Sequence, residues 1–78
     1  GSNDEELKKI LETLDRILKK LDKILTRLIE VLKKSEDPNL DDKDYTELVK
    51  QFIELIKKYE EVVKEYEEVV RQLIRLFS

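Results

Sequence analysis

Glu60, Glu61, Glu67 and Glu68 stand as two pairs, one heptad apart, in the stretch YEEVVKEYEEVVRQ from Tyr59 to Gln72. Carboxylates at helical spacing are raw material for a di-metal site. Such sites project the carboxylates into a bundle and add Glu-x-x-His pairs. This chain has no histidine, and the phase of these glutamates turns them outward, so a solvated face is the better reading. Acid–base and nucleophilic catalysis lack their usual parts too. His and Cys are both absent, and Ser35 is the only internal serine, with no base near it in sequence. The same absences exclude disulfides and the usual zinc, haem and iron–sulfur ligand sets. We expect no enzyme, no metal and no cofactor.

Two further groups of residues carry chemical potential. In DPNLDDKDYTEL, Asp37, Asn39 and Asp41 match the first three ligands of a calcium-binding loop. The obligatory glycine is Asp42 and the closing glutamate is Leu48, so two decisive positions fail. A loop whose acids cap a helix is the simpler reading. Tyr45, Tyr59 and Tyr66 are the only polar handles on an otherwise apolar stripe. They could form a buried hydrogen-bond network, with Tyr66 near Thr13 and Tyr59 near Thr26. Thr26 points away from the stripe, however, and hydroxyls that reach water or a backbone carbonyl are the plainer expectation.

The elements that place these residues follow from a seven-residue pattern. With position a at Leu7, the a positions are Leu7, Leu14, Leu21 and Leu28. Position d holds Ile10, Ile17, Ile24 and Val31, and position e holds Leu11, Leu18, Leu25 and Leu32. The second half repeats this from Tyr45: a is Tyr45, Phe52, Tyr59, Tyr66 and Leu73, and d is Leu48, Leu55, Val62, Val69 and Leu76. Its e positions are Val49, Ile56, Val63, Val70 and Phe77, and Ile29, Ile53 and Ile74 add apolar residues at b. The pattern predicts helices over 4–35 and 42–77, joined by a loop at 36–41, with 1–3 left as tag scar and helix cap. Ser2 with Glu5, or Asn3 with Glu6, suits the first cap, and Asp41 with Asp44 the second. Leu40 and Tyr45 are spaced as a hydrophobic staple. Pro38 and Asn39 break the helix, and so short a link makes the helices antiparallel neighbours. A strict heptad keeps one stripe facing its neighbours along a supercoiled bundle.

An a/d seam alone serves a two-stranded coiled coil, whereas an a/d/e face suits a helix with two neighbours. A hairpin supplies one neighbour only. The expected fold is therefore all-α: an antiparallel helix–loop–helix hairpin with a heptad a/d/e core, assembling into a four-helix or larger coiled-coil-like bundle. Ile29 and Ile53 share a level near the loop, which predicts that the e and b flanks of the two helices meet. The g rows, Thr13, Lys20, Arg27 and Lys34 with Gln51, Lys58, Glu65 and Gln72, would then rim the contact with a partner.

Composition narrows the partners. The chain has 78 residues, of which 45% are charged and 40% apolar, with a net charge of −3. That balance lacks the basic field of a nucleic-acid binder. No run approaches the roughly 20 apolar residues that span a bilayer, and no signal-peptide core is present. Acids interleaved with the lysines disfavour membrane-surface binding. There is no Ala, Met or Trp, the only Gly is Gly1 and the only Pro is Pro38. The unbroken pattern, the repeated YEEVVKE unit, the SEDPNL loop and the Gly1-Ser2 start together resemble computationally designed helical-bundle hairpins. That resemblance covers the whole chain and implies a role in homo-oligomers, orthogonal heterodimers or scaffolds for larger assemblies and pores. The Asn, Ser, Gln and His networks common in that family are missing from the a, d and e positions named above. The expected function is structural: self-association through the apolar faces. The alternatives are one half of a heterodimer and a subunit of a ring enclosing a cavity. No nucleic acid, membrane or small-molecule partner is expected.

Overall fold

A computed structural model describes residues 1–78, the Ser2 side chain excepted. Two α-helices pack against each other, α1 (Ser2–Ser35) and α2 (Asp42–Leu76). The first begins two residues earlier than the heptads predict. The Gly1 ammonium donates to Asp4 Oδ2 at 3.2 Å, and the Glu5 amide to the Gly1 carbonyl at 3.4 Å, so the terminus itself starts the first turn. The Asp4 carboxylate also offsets the ammonium at the positive end of the helix dipole. Of the two caps expected there, the Ser2 side chain lies outside the described residues and Asn3 makes no capping bond among them.

The connection needs no left-handed residue, because no described residue has a positive φ. At the end of α1 the amides of Glu36 and Asp37 close onto the carbonyls of Lys33 and Lys34 at 3.2 and 3.3 Å, tightening the last turn. The Leu40 amide then returns to the Asp37 carbonyl at 3.3 Å, a β-turn with Pro38 and Asn39 at its centre. Asp37 Oδ1 accepts the Asn39 amide at 2.9 Å, and Asp41 Oδ1 accepts the Asp44 amide at 2.8 Å as the N-cap of α2. Both carboxylates that resembled calcium ligands are thus engaged in shaping the loop. Leu40 packs on the cluster of Val31, Leu48 and Leu55. The second helix ends at Leu76, one residue short of its heptad expectation. Phe77 is its C-cap and lies largely exposed.

The buried residues are Ile10, Ile17, Ile24 and Val31 on α1 and Leu48, Leu55, Val62 and Val69 on α2. All are d positions. Their branched side chains fill the seam between the helices, with the a-row leucines half-buried beside them. The result is one layer of two rods, 61 × 14 × 13 Å. Its radius of gyration is 17.9 Å, against about 11–12 Å for a compact domain of this length.

Candidate functional site

Which flank of each helix closes the hairpin is the main departure from the sequence expectation. The e and b flanks do not meet. The seam is centred on d, and the g rows close over one side of it, where Lys20 Nζ lies 3.4 Å from Glu65 Oε2 across the helices. The physical reason lies in what each flank can tolerate. A row of Lys, Arg, Glu and Gln beside the seam keeps its charged tips in water while its stems cover the d residues. Placed against a second hairpin, the same row would lose that water.

The polar side of the hairpin is a set of shallow grooves floored by d residues. From α1 it is lined by Lys9, Arg16, Lys20, Lys23, Arg27 and Lys34, with Glu6 and Glu30 the acidic exceptions. From α2 come Glu47, Glu54, Glu61, Glu65 and Glu68, interrupted by Lys50, Lys58, Lys64 and Arg75. A mostly basic wall thus faces a mixed one in which acids slightly outnumber bases.

The opposite side is open and apolar. On α1 the whole e row is exposed: Leu18 keeps 48% of its surface beside Ile17 at 3%. Leu11, Leu25 and Leu32 are exposed to a similar degree, and Leu7, Leu14, Leu21 and Leu28 are half-buried. On α2 Val49, Phe77, Tyr45, Tyr59 and Tyr66 are exposed, while Phe52, Ile56, Val63, Val70, Leu73 and Leu76 are half-buried. The exposed Ile29 and Ile53 widen the face near the loop, and Ile74 widens it at the far end. A depression of about 180 Å³ between Leu32, Ser35, Tyr45, Val49 and Phe52 marks the loop end. Of the expected a/d/e core, the single chain buries only the d row.

No family model matches the sequence, and no curated protein and no solved structure matches the chain.

The tyrosine hydroxyls make no hydrogen bond among the described residues. Thr13 Oγ1 instead donates to the Lys9 carbonyl and accepts from Arg16, and Thr26 Oγ1 donates to the Asp22 carbonyl. Glu68 receives Arg71 and Arg75 on the solvent side, and among the described residues no acidic group is placed to hold a metal ion. Among the described residues no helix is long and apolar enough to cross a membrane.

Sequence reasoning missed the rim of the open face. Outside the e row lies the b row, which carries Lys8, Asp15 and Asp22 on α1 and Thr46, Glu60 and Glu67 on α2. Asp15 pairs with Lys19 at 2.8 Å. Asp22, Glu60 and Glu67 have no ion pair among the described residues. The signal is present in the heptad: acids recur at b on both helices, Asp15 and Asp22 on α1 and Glu60 and Glu67 on α2.

Proposed function

We propose that the chain is a structural assembly module whose a/e face docks on the matching face of another helical hairpin, giving a four-helix bundle. The observation that carries this reading is surface area. The single chain exposes 6488 Å², where a compact protein of 9.4 kDa exposes about 5,000 Å². The excess, roughly 1,500 Å² per chain, matches what one side of a permanent interface buries. The reading keeps the sequence-level resemblance to designed hairpins and assigns no catalytic activity. The ring enclosing a pore has less support. Its candidate lining, Gln51, Lys58, Glu65 and Gln72, flanks the hairpin's own seam, where Glu65 pairs with Lys20.

The test is the solution mass by light scattering, alone and mixed with candidate partners, of the native chain and of Leu18→Asp with Val63→Asp. Leu18 is exposed in the single chain and Val63 half-buried, so the charges strike the docking face and spare the d seam. The native chain should form species of at least twice the chain mass, and the double variant should lose them while staying helical. Unchanged assembly of the variant would remove the a/e face as the contact.

A further inference from the structure

We infer that the partner this face fits best is not a copy of the chain but a helical hairpin with the same apolar rows and a basic rim. The inference rests on the docking reading above and adds the chemistry of the occupant.

On the helical wheel d points at the hairpin partner, a toward the centre of a bundle, e toward the docking chain, and b flanks that docking seam. The b row therefore does between hairpins what the g row does within one. Within the hairpin the g and c rows are complementary, basic on α1 and acidic on α2, with Lys20–Glu65 as the direct contact. Between hairpins a copy offers no such complement. The register set by Lys20 and Glu65 puts Asp15 level with Glu67, and Asp22 with Glu60, to within a turn.

If two copies dock with their loops at the same end, α1 of one lies against α2 of the other at these same levels. Asp15 then faces Glu67, and Asp22 faces Glu60, twice over. If they dock with loops at opposite ends and overlap fully, each helix meets its own copy. With α1 overlapping its copy end to end, Asp15 faces Asp22, and that register carried over to α2 brings Glu60 within about two turns of Glu67. Both symmetric arrangements set acid against acid. Lys8 is the only basic b residue. The f rows, mixed on α1 (Glu12, Lys19, Thr26, Lys33) and basic on α2 (Lys50, Lys57, Lys64, Arg71), stand a further 40° round each helix, away from the seam, and Lys19 there is already held by Asp15. Asp22, Glu60 and Glu67 are thus left for cations from outside. A partner with lysine or arginine at its own b positions meets them in either arrangement. Like charges at a rim select against the wrong partner more than they prevent contact.

The experiment uses the chain itself as scaffold. Asp15→Lys, Asp22→Lys, Glu60→Lys and Glu67→Lys in one variant keep every apolar residue and reverse the rim. Native and reversed chains are mixed in equal amounts and the species counted by native mass spectrometry. Indifferent chains give homodimers and mixed dimers at 1:2:1. In about 50 mM salt the ratio of mixed dimer to homodimers should exceed its statistical value at least tenfold, and the excess should fade in about 1 M salt as the rim is screened. A 1:2:1 ratio at low salt, with dimers present, overturns the basic-rim partner and leaves the docking reading standing. Chains that stay single in every mixture overturn both. Should the reversed variant fail to fold, the uncharged form (Asp15→Asn, Asp22→Asn, Glu60→Gln, Glu67→Gln) decides. Its self-association at low salt should be about tenfold tighter than that of the native chain, and equal affinity overturns the inference.

Discussion

The two sides of the hairpin present the same d row to opposite surroundings. On one side Lys20 and Glu65 reach across, and walls of opposite charge leave the grooves in water. On the other side Leu11, Leu18, Leu25 and Leu32 stand exposed beside tyrosines and valines. An exposed ion pair is worth about 0.2–1 kcal/mol, whereas burying one leucine side chain is worth about 1.5–3 kcal/mol. The polar side is finished at low energy and the apolar side is not. The difference teaches how a short chain can divide two tasks: charge aligns the helices, and in the docking we propose the exposed rows supply the contact. The same magnitudes bound the rim. Like-charged neighbours at an exposed seam cost a few tenths of a kcal/mol each, so in the proposed docking the apolar rows would supply the affinity and the b row the choice of partner.

The comparison breaks most sharply at two neighbouring residues. Ile17 is almost fully buried in the seam and Leu18 faces out beside it. Ile17→Ala should cost about 2–5 kcal/mol of stability at every protein concentration, since it opens the hairpin itself. Leu18→Ala should stay within about 0.5 kcal/mol at concentrations where the chain is single. Once bundles form, its cost should rise toward that of a buried leucine. Urea unfolding followed by circular dichroism over a hundredfold range of concentration separates the two. A Leu18→Ala cost that did not change with concentration would mean that the e row is never covered.

Next in size is the direction of docking. Ile29 and Ile53 lie at one level near the loop, and docking with loops at the same end joins these pairs from both chains. Docking with loops opposed sets Lys8 against Ile29. We therefore expect the same-end arrangement. Glu60→Lys with Glu67→Lys, leaving α1 untouched, then places lysines of one chain opposite Asp15 and Asp22 of the other. Self-association should tighten about tenfold, some 1.4 kcal/mol, by sedimentation equilibrium at low salt. In the opposed arrangement lysines would face lysines and aspartates aspartates, and affinity would not rise.

Much of this architecture is visible in the residues. The a/d/e heptads, Pro38 and the Asp41 cap place two antiparallel helices within two residues of their ends. What the pattern does not settle is the rotation of each helix about its axis. An a/d/e stripe is apolar throughout, so burial alone does not say whether d or e turns to the hairpin partner. The isoleucines at b pointed to the e side, because Ile29 and Ile53 sit level. The polar g and c rows decided otherwise, through a condition that acts across the chain and not along it: together they are basic on α1 and acidic on α2. The tyrosines show the same limit. Their a positions read as core, yet the single chain leaves all three exposed, since a bulky a residue at the edge of one seam needs a second seam to cover it.

The smallest effect tests that cross-chain condition directly. Lys20 and Glu65 are about half exposed, so Lys20→Glu should cost only about 0.5–1 kcal/mol in the single hairpin. The loss should shrink in about 1 M salt, where the screening length is near 3 Å. Adding Glu65→Lys should recover part of it, because the pair is restored with its signs exchanged. Recovery will be incomplete, since the new lysine then faces the basic wall of α1 and the new glutamate faces the acids of α2. Full recovery would show that the pair acts alone and that the walls do not help to align the helices. A loss that persisted in high salt would show that Lys20 holds the seam through its aliphatic stem over the d residues, making packing and not charge the reason the g side closes.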